Sequence, residues 1–368
     1  MQLRRRQQVA SVGVAVVATA LTLAACSSSS SSSSPSGSGS SPAGGSSSSS
    51  AALSGTLNAS GSTLQLVFQQ AAIQAFKSVQ TGMTVNYGGG GSGKGRTDLA
   101  SGVVNYAGSD SPIPAKEQAN FKGKTVLYFP DVISPITVSY NLSGVSNLKL
   151  SAPVIASIFQ GKIKTWNDPA IKADDPGVSL PSTPITIAHR SDSSGTTQNF
   201  SQFLVDASGD RWTLGTSSVI NWPATSRGGS GNAGVAQIIK STPGAIGYVD
   251  YADAKASGLV FASIKNKAGD YVAPSTTAAS AAASQATVKP DLTFSAEWAP
   301  GAASYPITAQ SWILVYESQP NANDAAMLKA YISYLLGDGQ NLLSNLGFAP
   351  LPSNIDQMAK AQLSKIGS

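Results

Sequence analysis

Residues 27–50 contain 17 serines, and the rest are proline, glycine and alanine. Such a run has no apolar surface to bury and behaves as a flexible linker. It divides the chain. Anything that builds a core must lie beyond it, and anything before it must be short and act alone. A coil reach of about 5–6 Å × √n gives this run a span of roughly 25–30 Å.

What precedes the serines reads as an address. Residues 1–8 (MQLRRRQQ) are cationic, and residues 9–23 (VASVGVAVVATALTL) are apolar and uncharged. That apolar stretch has signal-peptide length and is too short for a membrane span. Leu23-Ala24-Ala25-Cys26 follows. Small residues followed by the chain's one cysteine resemble the bacterial lipoprotein signal. In that class the thiol receives a diacylglycerol and the cysteine becomes the first mature residue. The plain alternative is an ordinary secretion signal with an incidental cysteine. With acyl chains on Cys26, the protein is expected on the outer face of the cell membrane. The segments expected are a signal peptide over 1–25 and a lipid-anchored linker over 26–53.

Composition removes several classes. Net charge is +5, and removal of residues 1–25 with Arg4, Arg5 and Arg6 lowers it to +2. A binder that neutralises nucleic acid by bulk charge is not expected. One cysteine forbids an internal disulfide, and one histidine, His189, cannot form a multi-histidine metal site. With 41% hydrophobic residues the body has enough apolar surface for a sizeable core. No later stretch has 18 uncharged apolar residues.

From Ser54 strands and helices alternate. Strands are expected at Gly55–Ala59, Met83–Tyr87, Asn105–Gly108, Val126–Phe129, Ile136–Tyr140, Ile185–His189, Ile246–Val249 and Ser311–Tyr316. Helices are expected at Leu64–Val79, Thr97–Ser101, Ala152–Phe159, Thr196–Val205, Asn323–Leu336 and Gln340–Leu346. Leu64, Phe68, Ala71, Ala72, Ala75 and Phe76 fall on one helical stripe. Residues 273–289, rich in alanine, serine and threonine, read as a surface excursion. The alternation implies an α/β class with a largely parallel sheet.

Three strand-to-helix turns share a chemistry. They are Gly61-Ser62-Thr63-Leu64, Gly91-Ser92-Gly93-Lys94-Gly95 and Ser191-Asp192-Ser193-Ser194-Gly195-Thr196-Thr197. Each supplies glycine backbone, open N–H groups at a helix start, and a hydroxyl. That suits a small anion, and equally suits simple N-capping. Arg190 precedes the third turn. Its fork matches two oxygens of a tetrahedral oxyanion, and Asp192 could steady it; the pair could also be a surface ion pair. Asp110 is unusual, because a carboxylate repels an anion unless that anion carries a proton to donate. Phosphate near neutral pH does and sulfate does not, so a buried Asp110 would select phosphate. Capping before Pro112 is the simpler use. Gly88-x-x-x-x-Gly93-Lys94 nearly matches a nucleotide-binding P-loop, but Gly95 stands where Ser or Thr should bind magnesium.

These turns, in this order, resemble the phosphate-binding proteins of bacterial high-affinity phosphate ABC transporters. The matching runs include Tyr87–Gly95 (YGGGGSGKG), Gly108-Ser109-Asp110-Ser111-Pro112, Arg190–Thr197, Ile158–Trp166 (IFQGKIKTW), Gly229–Ala236 (GSGNAGVA), Pro243–Tyr251 (PGAIGYVDY), Tyr305–Thr308 (YPIT) and Gly347–Pro352 (GFAPLP). They span roughly Ser54 to Pro352. The resemblance implies a two-lobed periplasmic-binding-protein fold of type II, with mixed sheets flanked by helices and a two-segment hinge. Lobe one would be 54–131 plus 306–368, and lobe two 132–305. It implies phosphate donors from Thr63, Leu64, Ser92, Arg190, Ser194, Gly195 and Thr196, with Asp110 accepting the phosphate proton and Ser62 and Asp192 supporting. Members of the family often carry an aromatic where Leu64 stands here. It implies capture and delivery to permease subunits, not catalysis, with no cofactor or metal, by a monomer. The alternatives are a binder of another tetrahedral oxyanion and a secreted phosphatase on the same scaffold.

Overall fold

The structure, a computed structural model, describes residues 53–368. The signal segment, Cys26 and the serine linker lie outside them. The first strand, β1 (Gly55–Gly61), pairs in parallel with β2 (Met83–Gly90) and β3 (Tyr106–Ser109). Next come β4 (Val126–Tyr140), β5 (Thr186–Arg190), β6 (Arg227–Gly229), β7 (Ala245–Asp250), β8 (Val260–Phe261) and β9 (Thr308–Tyr316). Their order in the sheet is β2-β1-β3-β9-β4-β7-β5-β6, with β8 beside β4. A small separate sheet joins Lys149–Leu150, Ser263–Lys265 and Tyr271–Val272.

The sheet is mixed rather than largely parallel. Parallel strands lie at both ends (β2-β1-β3 and β7-β5-β6), and antiparallel pairs β3-β9, β9-β4 and β4-β7 join them. The join is made by β4, which corrects an expectation. Val126–Phe129 and Ile136–Tyr140 are not two strands but parts of one strand of 15 residues. Pro130 and Pro135 suggest breaks, yet the strand continues: at the first the register shifts, with Pro130 facing Trp312, Val132 facing Ser311 and Asp131 as the extra residue, and Pro135 faces Thr308 in regular register. Its first part pairs with β9 and its last five residues with β7. All but its first residue are buried, which removes the alternation that marks a one-sided strand.

Helices flank this sheet. The apolar stripe forms α1 (Leu66–Val79), burying Phe68, Ala72 and Phe76. α2 (Ser92–Ala100) starts five residues before the expected Thr97, because Gly91 takes φ 90° and turns the chain directly into the helix. α3 (Ala152–Phe159) lies where expected. Next follow α4 (Gly195–Ala207) and α5 (Gly231–Ser241). The presumed surface excursion contains a further helix, α6 (Thr276–Ala283), capped by Ser275. Ala278, Ala279, Ala282 and Ala283 are buried against β4 and β9, since alanine lets a helix lie close to a sheet. A long helix, α7 (Ala322–Leu336), packs Tyr331 on Phe76, with ring centroids 5.1 Å apart. No helix among the described residues is long and apolar enough to cross a membrane.

Four parallel strands, β1, β2, β5 and β6, run straight into helices α1, α2, α4 and α5. Ligands of open α/β sheets collect at such carboxyl ends.

Candidate functional site

The turns after these strands touch one another. Gly91 N–H donates to Gly61 carbonyl (2.9 Å), and Gly93 N–H donates to Ser193 carbonyl (3.0 Å). Gly195 sits at the closest approach: a methyl there would lie 2.4 Å from Ser92 Oγ and 2.6 Å from Asp110 Cβ. Only glycine fits, so the first turn of α4 rests on Asp110 and on the start of α2.

Asp110 is buried, and its two oxygens differ. Oδ1 accepts from the hydroxyls of Ser62 (2.5 Å) and Ser311 (2.7 Å). Oδ2 accepts from Ser92 Oγ at the longer distance of 3.3 Å and faces Gly195. The Ser62 hydroxyl accepts Leu64 N–H (3.0 Å), so its own hydrogen is available only for Asp110. Ser62 thus accepts in the turn that leads to α1 and donates to the carboxylate, while α1 itself has no side-chain cap. Burial raises the Asp110 pKa; Ser62, Ser311, Arg190 and Ser92 oppose the rise.

Arg190 ends β5 and is also buried. Its Nε and one terminal nitrogen grip both oxygens of Asp192, the first at 2.8 Å. Its other terminal nitrogen donates to Asn232 Oδ1 (3.1 Å) and Thr196 Oγ1 (3.4 Å). A guanidinium has five N–H groups, so one remains without a protein acceptor among the described residues. Burial acts to raise the Asp192 pKa, but the Arg190 bonds and charge, with Gly231 N–H, outweigh it and hold the carboxyl below its ordinary range. The pair is thus a partly buried clamp, not a surface ion pair.

The remaining expected residues supply donors. Thr63 Oγ1 accepts Asn232 N–H (3.4 Å), and Thr196 Oγ1 accepts from Arg190 and Asn232, which leaves both hydroxyl hydrogens uncommitted. Ser194 caps α4 by accepting Thr197 N–H (3.2 Å), and its hydroxyl hydrogen is likewise open. The N–H groups of Thr63, Ser92, Gly195 and Thr196 have no acceptor among the described residues. Leu64 differs from expectation: its N–H is taken by Ser62, and its side chain is core. The result is a set of buried N–H and O–H donors in neighbouring turns, together with Asp110 Oδ2, whose one bond, from Ser92 Oγ, leaves a lone pair free. Such a set replaces the water of a small oxyanion by fixed dipoles.

Sequence reasoning did not assign Asn232, Ser311, Asn199 or Tyr248. Asn232 follows Gly229-Ser230-Gly231, a fourth turn of the same kind, which was a legible signal. Asn199 Nδ2 donates to Asp110 carbonyl (2.7 Å), and Tyr248 Oη accepts Arg190 N–H (3.1 Å). Neither they nor Ser311, which lies within a buried strand, has a local signature. Lys94, in the near P-loop, pairs with Asp98 four residues on. His189 lies against the Trp222 ring, 5.3 Å between centroids, with Nδ1 2.9 Å from the Arg190 carbonyl oxygen. A separate cavity of about 480 Å³ reaches Asp110 from the side of Ser111, Asn199 and Gln310. Neither Arg190 nor the α4 turn lines it, so it is distinct from this donor set.

Residues 46–339 match the model of the PBP superfamily domain. The phosphate-binding protein PstS 3 of Mycobacterium leprae is 35% identical over 311 residues, covering 81% of this chain and 84% of that protein. The phosphate-binding protein PstS of Pasteurella multocida is 36% identical over 290 residues, covering 77% and 83%. The solved structure of a high affinity periplasmic phosphate-binding protein, PfluDING, bound with phosphate, superposes with a TM-score of 0.70 at 22% identity, covering 84% of this chain and 94% of that one. That likeness speaks for the fold, while the sequence relatives carry the kinship: the chain belongs to the PstS family of phosphate-binding proteins within the PBP superfamily.

Proposed function

We propose that this chain captures inorganic phosphate outside the cytoplasm and delivers it to the permease subunits of an ABC transporter. The observation that carries this reading is Asp110 Oδ2, an acceptor with a lone pair beyond its bond from Ser92 Oγ, among groups that otherwise donate. It matches an oxyanion that still carries a proton. Donors would come from Thr63, Ser92, Ser194, Gly195 and Thr196, and Arg190 would supply the full countercharge. The finer division is lobe one over 54–131 plus 306–368 and lobe two over 132–305. The change of partner along β4, from β9 to β7, supports a hinge there. Ligand contacts from both lobes would favour the closed state and shift the population toward it. The body would work as a monomer, tethered through lipidated Cys26 and the serine linker, and would bind without catalysis.

A melting-temperature panel tests this. Phosphate should stabilise the protein strongly, and sulfate and molybdate should not. Equal stabilisation by sulfate would assign the site to another oxyanion, and hydrolysis of a phosphomonoester by the purified chain would make it an enzyme.

A further inference from the structure

We propose that Gln65 is a specificity-determining positioning residue: acting through Ser311, it locks Asp110 as a hydrogen-bond acceptor toward the ligand. This rests on the phosphate reading of the site and goes beyond the residues that would touch phosphate.

One neighbour of Gln65 can only accept. Gln65 lies just before α1 and is wholly buried. Its Nε2 is 3.2 Å from the Trp312 carbonyl oxygen in β9. A carbonyl cannot donate, so the NH₂ end of the amide must face β9 and the oxygen must face away. The same Nε2 donates to Ser311 Oγ at 2.8 Å. Having accepted there, Ser311 turns its one hydrogen to Asp110 Oδ1, 2.7 Å away. Behind Gln65 the direction continues. Gln65 Oε1 accepts from Gln69 Nε2 (2.9 Å), so Gln69 Oε1 is the end that accepts the hydroxyls of Tyr106 (3.0 Å) and Tyr331 (2.9 Å). Every bond in the chain from the tyrosines through Gln69, Gln65 and Ser311 points the same way, hydrogen toward Asp110. Bonds aligned in this manner polarise one another in a low-dielectric interior. Gly108 leaves the space for it, since a methyl there would lie 2.7 Å from Gln65 Nε2.

Without Gln65 the Ser311 hydroxyl has another target, the Ser109 carbonyl at 3.4 Å. Asp110 would then lose one of the two donors on Oδ1, and its carboxylate would take up a proton at higher pH. A protonated Asp110 donates where it should accept, and a donor is what a fully deprotonated anion such as sulfate requires. The titratable groups that bear on Asp110 are Arg190 with its partner Asp192, Tyr87 from β2, Asp131 from β4 and Asp250 from β7. The Arg96–Glu117 pair reaches Ser109 and Ser111 on either side. Asp131 is 3.5 Å from Gln69 Nε2. Burial, then the charge of Asp110, raise the Asp131 pKa.

The test uses the full chain and compares wild type, Gln65→Met, Ser311→Ala and the double variant by calorimetry with phosphate and with sulfate across mildly acidic to mildly alkaline pH. Gln65→Met should weaken phosphate about tenfold, the scale of one hydrogen bond to a charged group. Sulfate binding should set in at a higher pH than in wild type. Ser311→Ala should do the same, and the double variant should be no worse than Ser311→Ala, because the two residues act in series. A wild-type pH profile in Gln65→Met, or losses that simply add, would overturn the inference. If Gln65→Met does not fold, Gln69→Met and Ser311→Ala must show the raised sulfate onset, and its absence refutes the inference equally. Wild-type protein that ignores phosphate would instead bring down the functional reading itself, and this inference with it.

Discussion

Asp110→Asn is the sharpest perturbation of the site. The structure says what it keeps. The asparagine carbonyl can stand at Oδ1 and still accept from Ser62 (2.5 Å) and Ser311 (2.7 Å), and its NH₂ fits the space of Oδ2 beside Ser92 and Gly195. The fold should therefore survive. What changes is the open position, from charged acceptor to neutral donor. A hydrogen bond to a charged group contributes about 1.5–3 kcal/mol, so phosphate should bind roughly 10- to 150-fold more weakly. Sulfate moves the other way, because it gains a donor and loses a facing negative charge. The phosphate-to-sulfate ratio should fall by about a hundredfold or more. The effect also has a pH signature. Burial raises the Asp110 pKa, so wild type loses this charge at a higher pH than an ordinary carboxylate does. In alkaline solution the two proteins should differ most, and as pH falls through the raised pKa they should converge. Competition calorimetry with both anions reads the ratio. An unchanged ratio at alkaline pH, or a gap that stays constant into acid, would refute the assignment of Oδ2 as the acceptor of a ligand proton.

Arg190→Ala should cut phosphate affinity by at least tenfold and also lower the melting temperature, because it strands the Asp192 carboxylate, 17% exposed, without its partner. Adding Asp192→Asn should restore the melting temperature but not the affinity, and calorimetry that found binding restored would remove Arg190 from the ligand. Gly195→Ala should abolish tight binding although alanine is the better helix former, since its methyl meets Ser92 Oγ at 2.4 Å and pushes α4 off Asp110; wild-type affinity would mean that the turns need not touch. Cys26→Ala should move the protein from membrane to soluble fractions, and retention in the membrane pellet would contradict lipid anchoring.

Much of the fold was legible because its elements are local. The stripe of α1, the apolar run of α3 and the short strands before the glycine turns each announce themselves within a dozen residues. The failures share a cause that is not local. β4 crosses two prolines because β9 pairs with it on both sides of a register shift at Asp131, and no pattern in 126–140 alone reveals a partner located at 308–316. α6 reads as a polar excursion because alanine, serine and threonine are ambiguous, and only contact with β4 and β9 buries its alanines. In both cases tertiary packing overrode the local signal.

The site divides along the same line. Residues in the strand-to-helix turns are legible as candidates because glycine, hydroxyl and helix start coincide in sequence, and the same rule extends to Asn232. Ser311 and Gln65 were not found because they act from a buried strand and a helix start on a residue that is itself distant in sequence. Their effect is also of a different kind. The turn residues supply donors, and donors alone favour any oxyanion, protonated or not. Discrimination needs one position that refuses to donate, and a buried carboxylate keeps that refusal only while other groups hold it charged. Two hydroxyls already receive a hydrogen, Ser62 from Leu64 N–H and Ser311 from Gln65, and so turn their own toward Asp110. On the proposed reading, affinity is written in the turns, and selectivity in the hydrogen-bond directions of the core behind them.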